Sequence, residues 1–105
     1  MSQIAYKKLV RDNIPDIIRA QGKTPIVRTL SDEEYMICLK EKLIEEVNEF
    51  IADSNIEEFG DILEVMDAIK KYMNFTDADV TDAKNVKGIK NGSFDKKIFL
   101  EVVKC

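Results

Sequence analysis

The stretch that decides the fold runs Lys42-Leu43-Ile44-Glu45-Glu46-Val47-Asn48-Glu49-Phe50-Ile51-Ala52-Asp53-Ser54-Asn55-Ile56-Glu57-Glu58-Phe59-Gly60-Asp61-Ile62-Leu63. Apolar residues recur at helical spacing on both sides of Ser54-Asn55, which breaks the pattern. Upstream, Ser31 followed by Glu34 is a capping box, and it opens a helix reaching to about Asp53. Downstream, Asn55 followed by Glu58 is a second cap of related form, and its helix reaches to about Met73. The expected centre of the fold is therefore a helical hairpin, 31–53 against 55–73.

Outward from the hairpin the signals are shorter. Arg11 to Gln21 reads as a short helix with Pro15 in its first turn, stopped by Gly22. Thr24 to Leu30 leans toward β structure. Thr76 to about Lys90 reads as a weaker helix that stops near Gly92, and Lys97 to Val103 alternates loosely enough to favour a short strand. No repeat, low-complexity tract or boundary appears, so the 105 residues are expected to form one domain, mainly all-α with short extended segments near the ends.

Composition narrows the chemistry. There is no histidine, which removes Ser/His and Cys/His nucleophilic machinery, His-based zinc sites and any imidazole acid–base catalyst. Two cysteines, Cys38 and Cys105, make no disulfide framework. The longest apolar run is Tyr35 to Leu39, against the roughly 20 residues a membrane span requires, and no signal peptide is visible. A soluble, cytoplasmic protein is expected, with carboxylates, lysines, arginines, tyrosines, thiols or an oxygen-held metal available for catalysis.

The net charge of −4 conceals a strong partition. Residues 1–30 carry +4, residues 41–67 carry −9, and residues 68–105 carry +3. Within the acidic centre Lys42 is the one base among ten acids. A solvated helical face is the ordinary meaning of a charge run. Such faces usually alternate in sign, however, whereas Glu41/Glu45 and Glu45/Glu49 repel at i,i+4 spacing. A cation neutralising the centre, met by an anionic ligand held by the basic ends, accounts for the whole pattern. Phosphate with a divalent metal is the simplest such pair.

Helical projection shows which acids face inward. With Glu46 set at 0°, Leu39 falls near about 20°, Phe50 near about 40° and Leu43 near about 60°, with Glu49 and Asp53 on the flank of that stripe. Glu45 and Glu41 point away. With Glu58 set at 0°, Ile69, Ile62 and Val65 lie within about 40° of it, and Asp61 sits on the edge. At about 1.5 Å per residue, Glu46, Glu49, Glu58 and Asp61 stand at similar heights above the hairpin turn. Carboxylates that close do not all ionise without a cation. Oxygen-only ligands with open water positions suit Mg²⁺, or Mn²⁺.

Glu45-Glu46-Val47-Asn48-Glu49 matches E-E-x-x-E, and Glu58-Phe59-Gly60-Asp61 matches E-x-x-D. In that order, on consecutive helices, they resemble the MazG-like all-α nucleotide pyrophosphohydrolases. Tyr6-Lys7-Lys8-Leu9-Val10-Arg11-Asp12 with Ile14-Pro15, and Asn91-Gly92-Ser93-Phe94-Asp95-Lys96 with Ile98-Phe99-Leu100, extend the likeness to the ends of a short, phosphoribosyl-ATP pyrophosphohydrolase-like subgroup. The resemblance implies Mg²⁺-dependent hydrolysis of nucleoside triphosphates to monophosphate and pyrophosphate, often as nucleotide-pool house-cleaning. It also implies oligomers with the site near a subunit interface, and metal ligation at Glu46, Glu49, Glu58 and Asp61. Two departures stand out: the eight residues between Glu49 and Glu58 make a tighter turn than in longer members, and Ser93 stands where a second glycine is common.

Each candidate has a plainer reading. Glu58 is also placed to complete the Asn55 cap, and Glu45 or Glu49 is placed either to accept a proton from water or simply to be solvated. Glu64 and Asp67 repeat E-x-x-D in a register that points outward. Lys8 and Arg11, and the stripe Lys84, Lys87 and Lys90, are candidates for phosphate binding or ordinary surface charges. Tyr35, Phe50, Phe59 and Met66 are expected in the core, with Cys38 beside them. Phosphoribosyl-ATP is the alternative substrate, and a non-enzymatic acidic helical interaction module is the competing class. Nucleic-acid polymer binding has no basic domain or stacking platform to support it. Burying Leu39, Leu43, Phe50, Phe59, Ile62, Met66 and Ile69 calls for a second hairpin, hence a homodimer or dimer of dimers built as a four-helix bundle.

Overall fold

A computed structural model describes residues 2–105. Its helices are α1 (Ile14–Ala20), α2 (Asp32–Asp53), α3 (Ile56–Tyr72) and α4 (Asp77–Asn91). The chain is all-helical, and no strand is present among the described residues. It divides into two compact units, one ending at Met73 and the other spanning Asn74–Cys105.

The first unit is built on the hairpin of α2 and α3. Its local instructions act as the sequence dictates. The Ser31 hydroxyl accepts from the Glu34 N–H at 3.2 Å while the Glu34 carboxylate accepts from the Ser31 N–H at 3.3 Å, closing the capping box at the start of α2. Arg28 grips the same carboxylate with its two terminal guanidinium nitrogens, at 3.2 and 2.7 Å. α2 ends at Ser54, whose left-handed φ of 50° turns the chain, and Asn55 accepts from the Glu58 N–H at 2.8 Å to start α3.

Aromatic pairs staple both ends of the hairpin. Phe50 and Phe59 meet edge to face beside the turn, and Tyr35 and Tyr72 do so at the open end, each with ring centroids 5.9 Å apart. Such contacts contribute about 0.5–1.5 kcal/mol beyond the area they bury. Between them Leu39 and Val65 are the buried apolar residues, and Glu46 is buried with them. Phe59 and Met66, expected in the core, are about half exposed at 46% and 45%, because one antiparallel neighbour covers only one face of each helix.

α1 begins at Ile14 rather than Arg11. Pro15 explains the shift: its ring would clash with the Arg11 carbonyl in a longer helix and it has no N–H to donate there. The Ile14 N–H instead closes a turn on the Arg11 carbonyl at 3.1 Å. Gly22, at φ 78°, ends α1 as expected. Its N–H reaches the Arg19 carbonyl and the Lys23 N–H reaches that of Ile18, satisfying the last carbonyls of the helix.

In the second unit, Thr76 and Asp79 form another reciprocal cap at the start of α4, and Gly92 at φ 83° follows its end. The two segments expected to lean toward β structure, 24–30 and 97–103, do not form strands. They join no ladder: the backbone bond in them is a turn from the Lys97 N–H to the Phe94 carbonyl at 3.3 Å, with Lys97 at a left-handed φ of 57°, and a strand exists only as half of a pair. Composition favoured extension, and the fold supplies no neighbour to make a ladder.

Candidate metal centre

Three caps have the same outline in sequence, and one behaves differently. In α2 and α4 the acid at the third helical position folds back onto the capping residue. In α3 the Asn55 side chain accepts from the Glu58 backbone, but the Glu58 carboxylate does not return the bond. Its Oε2 is instead buried with no partner, as is Oε2 of Glu46. Glu58 has left its local cap for a place in the hairpin interior.

There it converges with acids from both helices. One carboxylate oxygen each of Glu46, Glu58 and Asp61 lie within 4.8 Å of one another, the metal-competent acidic group among the described residues. Glu46 comes from α2, and Glu58 and Asp61 lie one turn apart on α3, so the hairpin itself assembles the group. An octahedral cation with oxygens at about 2.1 Å separates its ligand oxygens by about 3 to 4.2 Å, so small side-chain adjustments suffice. Two unpartnered buried oxygens are the feature expected where a cation belongs, since a buried acceptor without a donor is costly.

The electrostatics agree. Burial pushes the Glu46 carboxyl above its ordinary value, Lys42 pulls it back through a hydrogen bond, and the neighbouring Glu49 pushes it up again. Lys42 shows the complementary balance. Burial lowers its ammonium, but hydrogen bonds to Glu46 and Glu45 outweigh this and raise it. Its Nζ stands 3.3 Å from oxygens of both glutamates.

The structure thus brings together three of the four expected ligands. Glu49 is solvent-exposed beside Glu46 and outside the convergent group. Glu45, half-buried, is held by Lys42 at 3.3 Å and by Lys8 at 3.7 Å. Arg11 donates to Asp61 at 2.7 Å, directly onto a candidate ligand. Lys84 and Lys87 lie exposed on α4 in the second unit. Sequence reasoning gave Lys42 no role, although its place as the sole base in an acidic run, four residues before Glu46, was the available signal. Among the described residues, no helix is long and apolar enough to cross a membrane.

No family model matches the chain, and no solved structure matches it. Over 45 residues it is 60% identical to an uncharacterized protein of Mycolicibacterium smegmatis. The match covers 43% of this chain and 46% of that protein, so it spans about half of the relative's length.

Proposed function

We propose that this protein is a divalent-cation-dependent nucleotide pyrophosphohydrolase, converting a nucleoside triphosphate and water to a monophosphate and pyrophosphate. The observation that carries the proposal is the diversion of Glu58 from its cap, which leaves one of its oxygens buried without a partner while its carboxylate converges with those of Glu46 and Asp61. An all-carboxylate donor set fits Mg²⁺ or Mn²⁺. When bound, such a cation supplies charge neutralisation at phosphate oxygens and lowers the pKa of water. Glu46, Glu58 and Asp61 would hold it, Glu49 or Glu45 would take the proton from water, and Arg11 and Lys8 would contact phosphate. The resemblance of the E-E-x-x-E and E-x-x-D motifs to MazG-like enzymes supports the same reaction.

The same proposal includes self-association. Ile37, Ile44 and Ile51 recur every seven residues on the side of α2 away from Leu39 and Glu46, and they are 58%, 63% and 69% exposed. Isoleucines left this exposed along one side of a helix favour a surface that covers them. A second hairpin laid on them completes a four-helix bundle, as a homodimer or a dimer of dimers.

The test is product analysis across a nucleotide panel with Mg²⁺ or Mn²⁺. Pyrophosphate is expected as the product, and release of single phosphate, or inactivity with every nucleotide, overturns the assignment. Asp61→Asn and Glu58→Gln are expected to lower turnover about 100-fold or more while keeping the helical circular dichroism.

A further inference from the structure

Arg11 spans a sequence separation of fifty residues to place Nη2 2.7 Å from Oδ1 of Asp61. Lys8, from the same segment ahead of α1, approaches Glu45 to 3.7 Å. Residues 2–13 form neither helix nor strand, so this segment meets the hairpin by its side chains, one cation toward α2 and one toward α3.

Asp61 therefore has two competing uses. It pairs with Arg11, or it joins Glu46 and Glu58 around a cation. A guanidinium and a divalent cation on one carboxylate repel each other, so each weakens the other's hold. Phosphate changes the balance, because its oxygens match the two-pronged guanidinium and carry more charge than one carboxylate.

We propose that Arg11 makes this centre take its cation together with a polyphosphate rather than alone: it holds Asp61 in the cation-free chain, and the arriving phosphate draws it away. This rests on the metal-centre reading above and adds the order imposed on its ligands. Phosphate frees Asp61 for the cation, and the cation frees Arg11 for the phosphate. Each ligand then raises the affinity of the other by the same factor. The pair is partly exposed, with side-chain accessibilities of 59% and 39%, so it yields readily and the coupling is severalfold.

The test is calorimetry on the full chain with Mn²⁺ alone, and with the non-hydrolysable α,β-methylene-ATP at saturating Mn²⁺. Arg11→Gln is compared with wild type and with Arg19→Gln, which removes the same charge from an ion pair local to α1. Circular dichroism checks that both variants fold. Arg11→Gln is expected to bind Mn²⁺ alone about threefold to fivefold more tightly than either comparison protein. The same variant is expected to bind the analogue about tenfold more weakly. These opposite signs are not produced by a segment that merely braces the hairpin. Unchanged or weaker Mn²⁺ binding by Arg11→Gln, or unchanged analogue binding, overturns the coupling and leaves the metal centre standing. If Mn²⁺ binds wild type neither alone nor with the analogue, the metal-centre reading falls and takes the coupling with it.

Discussion

Glu46 carries a cost that a purely structural residue would not. It is 7% exposed, one of its oxygens has no partner, and burial holds its carboxyl above the ordinary glutamate value. A raised carboxyl value means that the folded state favours the protonated form, so stability falls as the pH rises through the window above the unfolded value. Glu46→Gln supplies a permanently neutral side chain of the same shape. It is expected to raise the thermal midpoint of the metal-free protein at neutral pH, by about 1 kcal/mol in stability terms. It should also abolish the further rise expected of the wild type when Mn²⁺ is added. A thermal scan with and without Mn²⁺ checks both parts, and a variant less stable than wild type in the absence of metal would show that Glu46 is held for its bond to Lys42 instead.

At the scale of the element, the caps set the helix limits and make two predictions. Arg28 and Ser31 hold the Glu34 carboxyl down to about 2 at the start of α2. The folded value lies below the ordinary one, near about 4.3, so ionised Glu34 adds stability above that pH and the contribution is lost as the pH falls toward 2. Glu34→Gln does not titrate. Its midpoint is expected below that of wild type at pH 6, with the difference closing between about pH 4.3 and 2; a difference independent of pH would remove the ion pair and cap from the account. In α3, Gly60 sits in mid-helix, and a Cβ built there meets nothing within 4 Å. Gly60→Ala is therefore expected to stabilise the chain by about 0.5–1 kcal/mol, measured by urea denaturation. A loss of stability instead would mean that another surface approaches the backbone at Gly60, beside Asp61.

For the whole molecule, the apolar residues left outside the hairpin contact are the ground for the proposed assembly. Leu39 and Val65 are buried within one chain, whereas Ile37, Ile44 and Ile51 stand outward on α2. Fully burying one such side chain gains about 1.5–3 kcal/mol, so covering three of them favours association. Light scattering at micromolar concentration is expected to give at least twice the 12.0 kDa of the chain. Ile44→Glu places a charge in the middle of the three and should reduce the particle to a folded monomer. A wild-type monomer that still hydrolyses nucleotide would remove the shared bundle from the proposal.

The sequence by itself determined the helices, because each boundary is written in neighbouring residues. Ser31 with Glu34, the Ser54-Asn55 break, Gly22 and Thr76 act within a turn of where they stand, and the observed limits of α2, α3 and α4 fall within a residue or so of those expected. Periodicity also placed Glu46 and Glu58 within the apolar stripes, with Asp61 and Glu49 alike on their edges; of those two, the structure brings only Asp61 into the group. What it left open was the use of each polar group once neighbours arrived. Whether Glu58 returns to its own cap or turns inward depends on what α2 sets opposite it, and Asn55-Ile56-Glu57-Glu58 reads the same in either case. β-leaning side chains at 24–30 and 97–103 made no strand, because a strand needs a partner that no local pattern specifies. The bond from Arg11 to Asp61 joins residues fifty positions apart, and only the tertiary structure decided it, because charge alone offers each arginine many acids and distance selects one.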